Sequence, residues 1–446
     1  MVSADAPLVL LIGAPLPPPY GGIARYMQLC LPAMASKGFR VRVLQPDQGI
    51  EPHPLAGLPL DADVKTDVFS YPGLVRLACW FLRRPATALR LIAWYAPALL
   101  RRPRFSTKQL AATACWIRSA EILLGEDRPS IVHAFDWPWS QGAAAVVLAD
   151  RHDGKSMMSL FGDVLPHLDE LTQFDSVSRP FHKTSRTVLR ETDLVASMTE
   201  HCRRLVRHVD LLPDEVALVR VMGDMKPFHP EVDGSALRAR YAPGGAPLIL
   251  FVGHVRPRKG PQVLVEALPQ VRERHPDTRL VIVGPDHDYA DEIRAIARKL
   301  GVADAVAIVG VVDDDVLPEY YAAADLFVFP TLTTIECLGL TFVQAMFSGV
   351  PVIATRIAGA PEVIRDGEDG FLVDPGDPDA LAARASKVLA FSRDERRALG
   401  ARARARAMEL FDEEAVLGDL FRAYERLLHD GPRPRIDGKN SDQARE

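Results

Sequence analysis

The sequence predicts an α/β protein of two Rossmann-like, doubly wound domains, and three observations predict it. Short continuous apolar runs alternate with helix-patterned segments along the chain, as parallel strands do when helices cover both faces. The pattern restarts after a stretch rich in Pro, Gly and Asp (GDMKPFHPEVDG, then YAPGGAP) near residues 222–245. The length, 446 residues, suits two domains of about 200 residues each.

In the first half, LVLLIG (8–13) reads as a strand, followed by the loop APLPPPYGG and a helix from about Ile23 to Lys37. Gly38 stops that helix, and VRVLQP (41–46), SIVHAF (130–135), SMMSLFG (156–162) and DLVASM (193–198) read as further strands. In the second half the strands are PLILFVG (247–253), RLVIVG (279–284), AVAIVG (305–310), DLFVFP (325–330) and VPVIAT (350–355). A last helix covers roughly Glu413 to His429, and PRPRIDGKNSDQARE beyond it reads as a disordered polar tail. The division expected is an N-terminal domain over 1–225, a C-terminal domain over 226–412, a final helix over 413–430 and a tail over 431–446.

Charge and cysteine usage exclude several classes. The net charge of −5 gives no global basic field to recruit nucleic acid. Five widely spaced cysteines without a C-x-x-C argue against a disulfide framework and a structural zinc site, and favour a reducing cytosol. The start MVSADAPLVLLIG has no basic n-region, and the longest apolar stretch, Ala86 to Leu100, is short and holds Arg90. A cytoplasmic protein is expected, peripheral at most to the inner membrane surface. One local feature departs from the acidic average. Between Val68 and Ala120 lie nine Lys or Arg and no Asp or Glu. Leu74, Leu77, Ala78 and Phe81 recur there at helical spacing, as do Ala88, Leu91, Ile92, Tyr95 and Leu99. Two amphipathic helices are expected within a basic insertion at about 70–120. They would be either a membrane contact through residues 74–104 or a helical lid with a solvated arginine face.

In open parallel sheets, ligands sit outside the carboxyl ends of strands, and anions sit at helix N-termini. Three loops answer to that. In Pro15–Gly22, Gly21 and Gly22 let a phosphate approach the backbone without a Cβ in the way. GHVRPRKG (253–260) places His254, Arg256, Arg258 and Lys259 at a strand end, where cations suit a phosphorylated ligand. PTLTTIECLGLTFVQAMFSGVPVIAT (330–355) carries Glu336 in the loop, the Gly339, Leu340 and Thr341 amides at the helix start, and Gln344 in its first turns. A loop carboxylate accepts hydrogen bonds from a polyol, and the amides hold a phosphate.

At these residues the chain resembles the retaining, nucleotide-sugar-dependent glycosyltransferases of GT-B fold, family 4 type. The resemblance runs through FVGHVRPRKG, VGVVDDDVLPEYYAAADLFVFPT, ECLGLTFVQAMFSGVPVIAT and GAPEVIRDGEDGFLVDPGD. It is looser in PPPYGGIARYMQLCLPAMASKGFRVRVL, IVHAFDW and SLFGD. It implies two Rossmann-like domains facing a central cleft, the first binding the acceptor and the second the donor. It also implies sugar transfer with retention to a hydroxyl or amine acceptor, small or lipid-linked, without metal or other cofactor. By the same resemblance Lys259, Arg256, Arg258 and the amides at 339–341 stabilise the leaving diphosphate. Glu336 holds the donor sugar and Gln344 the ribose, Gly21 and Gly22 approach the diphosphate from the other domain, and His133 and Asp163 lie on the acceptor side. Four departures from the family pattern stand out. His254 replaces an Arg, Gln344 replaces the second acid of a pair, and Phe135 and Phe161 stand where members often carry His. Two alternatives follow: a catalytically weakened glycosyltransferase-like partner subunit, or a nucleotide-sugar epimerase or hydrolase on the same fold.

Overall fold

The computed structural model describes residues 6–13, 22–46, 64–69, 80–101, 103–135, 138–161, 182–206, 215–286, 288–334 and 337–429. The chain divides into two compact units, one of residues 1–223 with 417–446 and one of residues 224–416.

The first unit is built on a seven-stranded parallel sheet. Its strands are β1 (Leu8–Ile12), β2 (Arg40–Pro46), β3 (Val64–Phe69), β4 (Ile131–Phe135), β5 (Lys155–Leu160), β6 (Leu194–Ser197) and β7 (Val216–Leu218). Their spatial order is β3-β2-β1-β4-β5-β6-β7. Helices α1 (Gly22–Ser36), α2 (Pro85–Arg101), α3 (Pro103–Leu124), α4 (Ala143–Arg151), α5 (His182–Glu191) and α6 (Glu200–Leu205) cover it. β1 and β4 are buried at every residue, which is why they are legible as unbroken apolar runs.

The second unit repeats the plan with six parallel strands in the order β10-β9-β8-β11-β12-β13. They are β8 (Leu248–Val252), β9 (Arg279–Val283), β10 (Val306–Gly310), β11 (Leu326–Phe329), β12 (Val352–Thr355) and β13 (Phe371–Val373). Its helices are α7 (Ser235–Tyr241), α8 (Pro261–Arg274), α9 (Ala290–Lys299), α10 (Leu317–Ala323), α11 (Leu340–Phe347), α12 (Ala360–Val363), α13 (Pro378–Leu389) and α14 (Arg393–Phe411). Leu264, Leu268, Leu280, Ile282, Leu326 and Val328 anchor its core. The last helix, α15 (Glu413–His429), belongs to the first unit from Leu417 onward. Its buried stripe Val416, Leu420, Ala423, Tyr424 and Leu427 follows the helical period.

Ten strands agree with the sequence reading to within a residue or two. Three were not read from it: β3, β7 and β13, and each is the edge of its sheet. An edge strand has one neighbour, so it need not be a long apolar run. VKTDVF in β3 is half polar, and β7 and β13 have three residues each. Of the described cysteines, Cys30 and Cys115 are free and buried. The tail over 431–446 lies outside the described residues.

The basic insertion is helical, with two corrections. Leu74, Leu77 and Ala78 lie outside the described residues, and the second long helix is α3, which the apolar spacing had not marked. In α2, Leu91 and Tyr95 are fully buried as expected, but Ile92 faces outward at 46% exposure. Two of the insertion's arginines, Arg84 and Arg90, are held in ion pairs, while Arg83 is exposed. Arg90 donates to Asp150 and Glu191, both at 2.6 Å, and lies over the Trp94 ring. Burial opposes that charge, but the hydrogen bonds to Glu191 and Asp150 outweigh it and hold the guanidinium pKa above its usual value. Arg84 pairs with Glu121 at 2.8 Å, beside the Arg151–Glu121 pair.

Candidate functional site

Both sheets share the order 3-2-1-4-5-6, with one added edge strand in the first. Each therefore has a switch point between its first and fourth strands, the place where such sheets hold ligands. In the second unit that point lies between β8 and β11, and the loops leaving those two strands carry the sequence-identified residues.

The loop after β8 is held by its glycines. Gly253 N–H donates to the Val283 carbonyl at 2.9 Å, and Val255 pairs with Asp286 in a parallel bridge. Pro257–Lys259 form one 3₁₀ turn, and Gly260, at φ +74°, closes it and opens α8. A Cβ on Gly260 would lie 1.9 Å from the Pro330 carbonyl oxygen, so only glycine permits this approach to the end of β11. The Arg258 carbonyl then accepts from Leu332 N–H at 2.8 Å and from the Thr331 hydroxyl at 3.2 Å. Thr355, at the end of β12, donates its hydroxyl to the Thr331 carbonyl at 2.8 Å. The tips of three strands are thus stitched into one platform. On it Arg256, Arg258 and Lys259 are half-buried and His254 is exposed.

The loop after β11 leads into α11. Glu336 lies outside the described residues. Gly339 opens the helix at φ +36°, packed so closely that an added Cβ would meet the Phe329 ring at 2.5 Å. Leu340 and Thr341 follow, half-exposed, in the first turn. Gln344 is only 4% exposed, and its side-chain oxygen accepts from the buried Tyr321 hydroxyl at 3.0 Å. The same hydroxyl lies 3.1 Å from the Thr341 carbonyl. Tyr321 thus engages one lone pair of the Gln344 amide oxygen.

In the first unit the switch point lies between β1 and β4. Gly21 and the loop before it lie outside the described residues, as does Asp163, while Gly22 is the first residue of α1. His133, the acceptor-side candidate, lies within the sheet. It sits in the middle of β4 at 0% exposure, with Nδ1 2.9 Å from the Tyr424 hydroxyl and Nε2 2.8 Å from the Ser159 hydroxyl. Burial pushes its pKa down to about 3. The ring, with both nitrogens engaged and stacked on Phe135 at 4.1 Å, ties α15 to the sheet. Phe135 and Phe161 stack on each other at 6.2 Å, an aromatic pair at the ends of β4 and β5.

Tyr424, Ser159 and Tyr321 escaped the sequence reading. The available signal was indirect: a tyrosine within a buried helical stripe, as Tyr424 is, brings a hydroxyl that requires a partner. Among the described residues no group of three or more His, Cys, Asp or Glu is placed to hold a metal. Asp313, Asp314 and Asp315 form an exposed turn.

Comparison with known proteins agrees with this geometry. Residues 236–406 match the family described as glycosyl transferases group 1. A GDP-mannose-dependent alpha-(1-6)-phosphatidylinositol monomannoside mannosyltransferase of Mycolicibacterium smegmatis is 39% identical over 181 residues, 39% of this chain and 46% of that protein. A D-inositol 3-phosphate glycosyltransferase of Streptomyces scabiei is 33% identical over 261 residues, 56% of this chain and 58% of that protein. The chain thus spans about half the length of these curated relatives. Among solved structures, HepE of Anabaena in complex with UDP matches with a TM-score of 0.70 at 17% identity, over 93% of this chain and 99% of that one. Sucrose-phosphate synthase of Thermosynechococcus elongatus matches with a TM-score of 0.71 at 22% identity, over 94% and 99%. The fold is the two-domain, Rossmann-like GT-B architecture.

Proposed function

We propose that the protein transfers a sugar, with retention at the anomeric carbon, from a nucleotide diphosphate sugar to a hydroxyl or amine acceptor. The observation that carries this reading is the platform at the β8/β11 switch point. There the Gly260–Pro330 contact holds Lys259 and its neighbouring arginines at a strand end, within the region that matches group 1 glycosyl transferases. The leaving diphosphate takes its stabilisation from Lys259, Arg256 and Arg258 and from the amides at 339–341, an electrostatic contribution made by groups already in place. Glu336 holds the donor sugar hydroxyls, and Gly21 with Gly22 approaches the diphosphate. Gln344, its oxygen engaged by Tyr321, donates an amide N–H to a ribose oxygen. Because His133 is locked in the sheet, the leaving phosphate takes the acceptor proton. The reading uses no metal and no other cofactor.

The relatives' names support the donor class: one is GDP-mannose-dependent, and the HepE structure holds UDP. The acceptor in this reading is a small molecule or a lipid-linked group. Peripheral membrane contact through residues 74–104, at the cytoplasmic surface, belongs to the lipid-linked case. A screen of nucleotide sugars by ligand-induced melting shift, followed by product mass with candidate acceptors, tests it. Lys259→Ala should lower donor turnover at least about 100-fold, the scale of losing one preorganised charge contact. Turnover within a few-fold of wild type removes Lys259 from the assignment. The engaged oxygen of Gln344 and the exposed His254 also favour a second reading, a weakened partner subunit, in which no nucleotide sugar shifts the melting transition.

A further inference from the structure

Helix α2 is apolar on both sides. Its inner side buries Leu91, Tyr95 and Ala98 completely. At about 100° per residue, Ala86, Leu89, Ile92, Ala93, Ala96 and Leu100 fall within one outward arc of about 120°. Leu89 is 68% exposed and Leu100 87%, and Leu82, just before the helix, is 82% exposed. Neither of the helix's arginines, Arg90 and Arg101, falls on that arc. From Ala86 to Leu100 the apolar strip runs about 20 Å, and a strip of this kind in water marks a contact surface.

We propose that this face seats the protein in the interfacial layer of an anionic lipid bilayer, by insertion of its leucines. Charge decides between occupants. The stretch that carries it is cationic: Arg83 and Lys108 are exposed, the sequence from Val68 to Ala120 holds no acid, and the acids beside α2, Asp150 and Glu191, are both paired with Arg90. A second copy laid on the same face would bring two cationic stretches together, whereas anionic headgroups complement one. The chain's own tail, PRPRIDGKNSDQARE, offers only Ile436 as a large apolar side chain and cannot cover the strip. Arg84 and Arg90 are engaged by Glu121, Asp150 and Glu191, so they do not supply the attraction to lipid. Insertion of apolar side chains therefore contributes most of the binding, with Arg83 and Lys108 adding a salt-sensitive part. No helix among the described residues is long and apolar enough to cross a membrane, which fits a helix lying in the surface. The inference deepens the membrane-contact reading above and rests on the lipid-linked acceptor only for its purpose.

The test is sedimentation with vesicles of phosphatidylcholine containing about 30 mol% phosphatidylserine, at about 0.1 M and about 0.5 M salt. The wild-type protein should bind at both, with only a few-fold loss at high salt. The double variant Leu89→Glu/Leu100→Glu should bind at least about tenfold more weakly at both, while Arg83→Ala/Lys108→Ala should lose only the salt-sensitive part. Since Leu89 and Leu100 are exposed, the thermal midpoint and the release of nucleoside diphosphate from a nucleotide sugar with a soluble acceptor should not change. Wild-type protein that fails to bind at low salt, or a leucine variant that binds like wild type, overturns the proposal. So does a wild-type dimer that the leucine variant converts to monomer, which would assign the face to a second copy. Donor release reports separately: its absence with vesicle binding intact defeats the transferase reading alone.

Discussion

His133 makes one pH dependence calculable. Its unfolded pKa is about 6.5, and burial lowers the folded value to about 3. Between those values the unfolded chain binds a proton that the folded protein does not, so stability falls as pH falls through this window. Above about pH 7 both states are neutral at this ring and the contribution is flat. From about pH 7.5 down to about pH 5 the loss from this one group is about 2 kcal/mol, set almost entirely by the unfolded value. His133→Asn removes the titration. The variant should be less stable than wild type by about 1–3 kcal/mol at pH 7.5, because the Tyr424 and Ser159 hydroxyls lose well-placed partners. That deficit should shrink by about 2 kcal/mol at pH 5, since the other titrating groups are common to both proteins. All five tryptophans (Trp80, Trp94, Trp116, Trp137 and Trp139) lie in the first unit. Urea unfolding followed by tryptophan fluorescence therefore reads the unit that holds His133. A difference that stays constant from pH 7.5 to pH 5 would show that the ring protonates freely in the folded protein, and the lock between β4 and α15 would be refuted.

Three further outcomes follow from the packing. Gly260→Ala should destabilise the second unit by about 3 kcal/mol or more and abolish nucleotide-sugar binding, because its Cβ would lie 1.9 Å from the Pro330 oxygen at a left-handed φ; a wild-type melting profile would mean the turn can relax. Tyr321→Phe should cost about 1–3 kcal/mol by leaving the buried Gln344 oxygen unpaired, measured as the drop in unfolding free energy. Arg90→Ala leaves Asp150 and Glu191 without their shared cation, but the side chain is 29% exposed, so the loss should be about 1 kcal/mol and smaller at about 0.5 M salt. A salt-independent loss would assign Arg90 to packing on Trp94 instead.

The legible part of this protein is the part that local pattern controls. Central strands such as β1, β4 and β8 are buried along their whole length, so each must be an apolar run wherever it occurs in the chain. The loops leaving β8 and β11 could be singled out because glycines and cations at strand ends are unusual in sequence as well as in space. Three of the four edge strands, β3, β7 and β13, were not legible, since one open side removes the demand that makes a strand visible; β10 was, because its edge is still an apolar run. The insertion was half legible: helical spacing located α2, but the same spacing assigned Ile92 to the wrong side, because a helix apolar all round has no single apolar stripe to read.

Taken alone, the amino-acid order determined two doubly wound domains, the restart between them and the strand-end residues that form the platform. Tertiary structure alone decided who partners whom among the polar groups. Arg90 meets Asp150 and Glu191, 60 and 101 residues away, and His133 meets Tyr424 across 291 residues of chain. Periodicity records whether a residue is buried by its own element. It does not record which element arrives to bury it, and a charge or hydroxyl becomes functional, structural or merely neutralised according to the group that arrives. For that reason Arg84 and Arg90 of the basic block are paired while Arg83 and Lys108 stay exposed, and His133 bolts the last helix to the sheet.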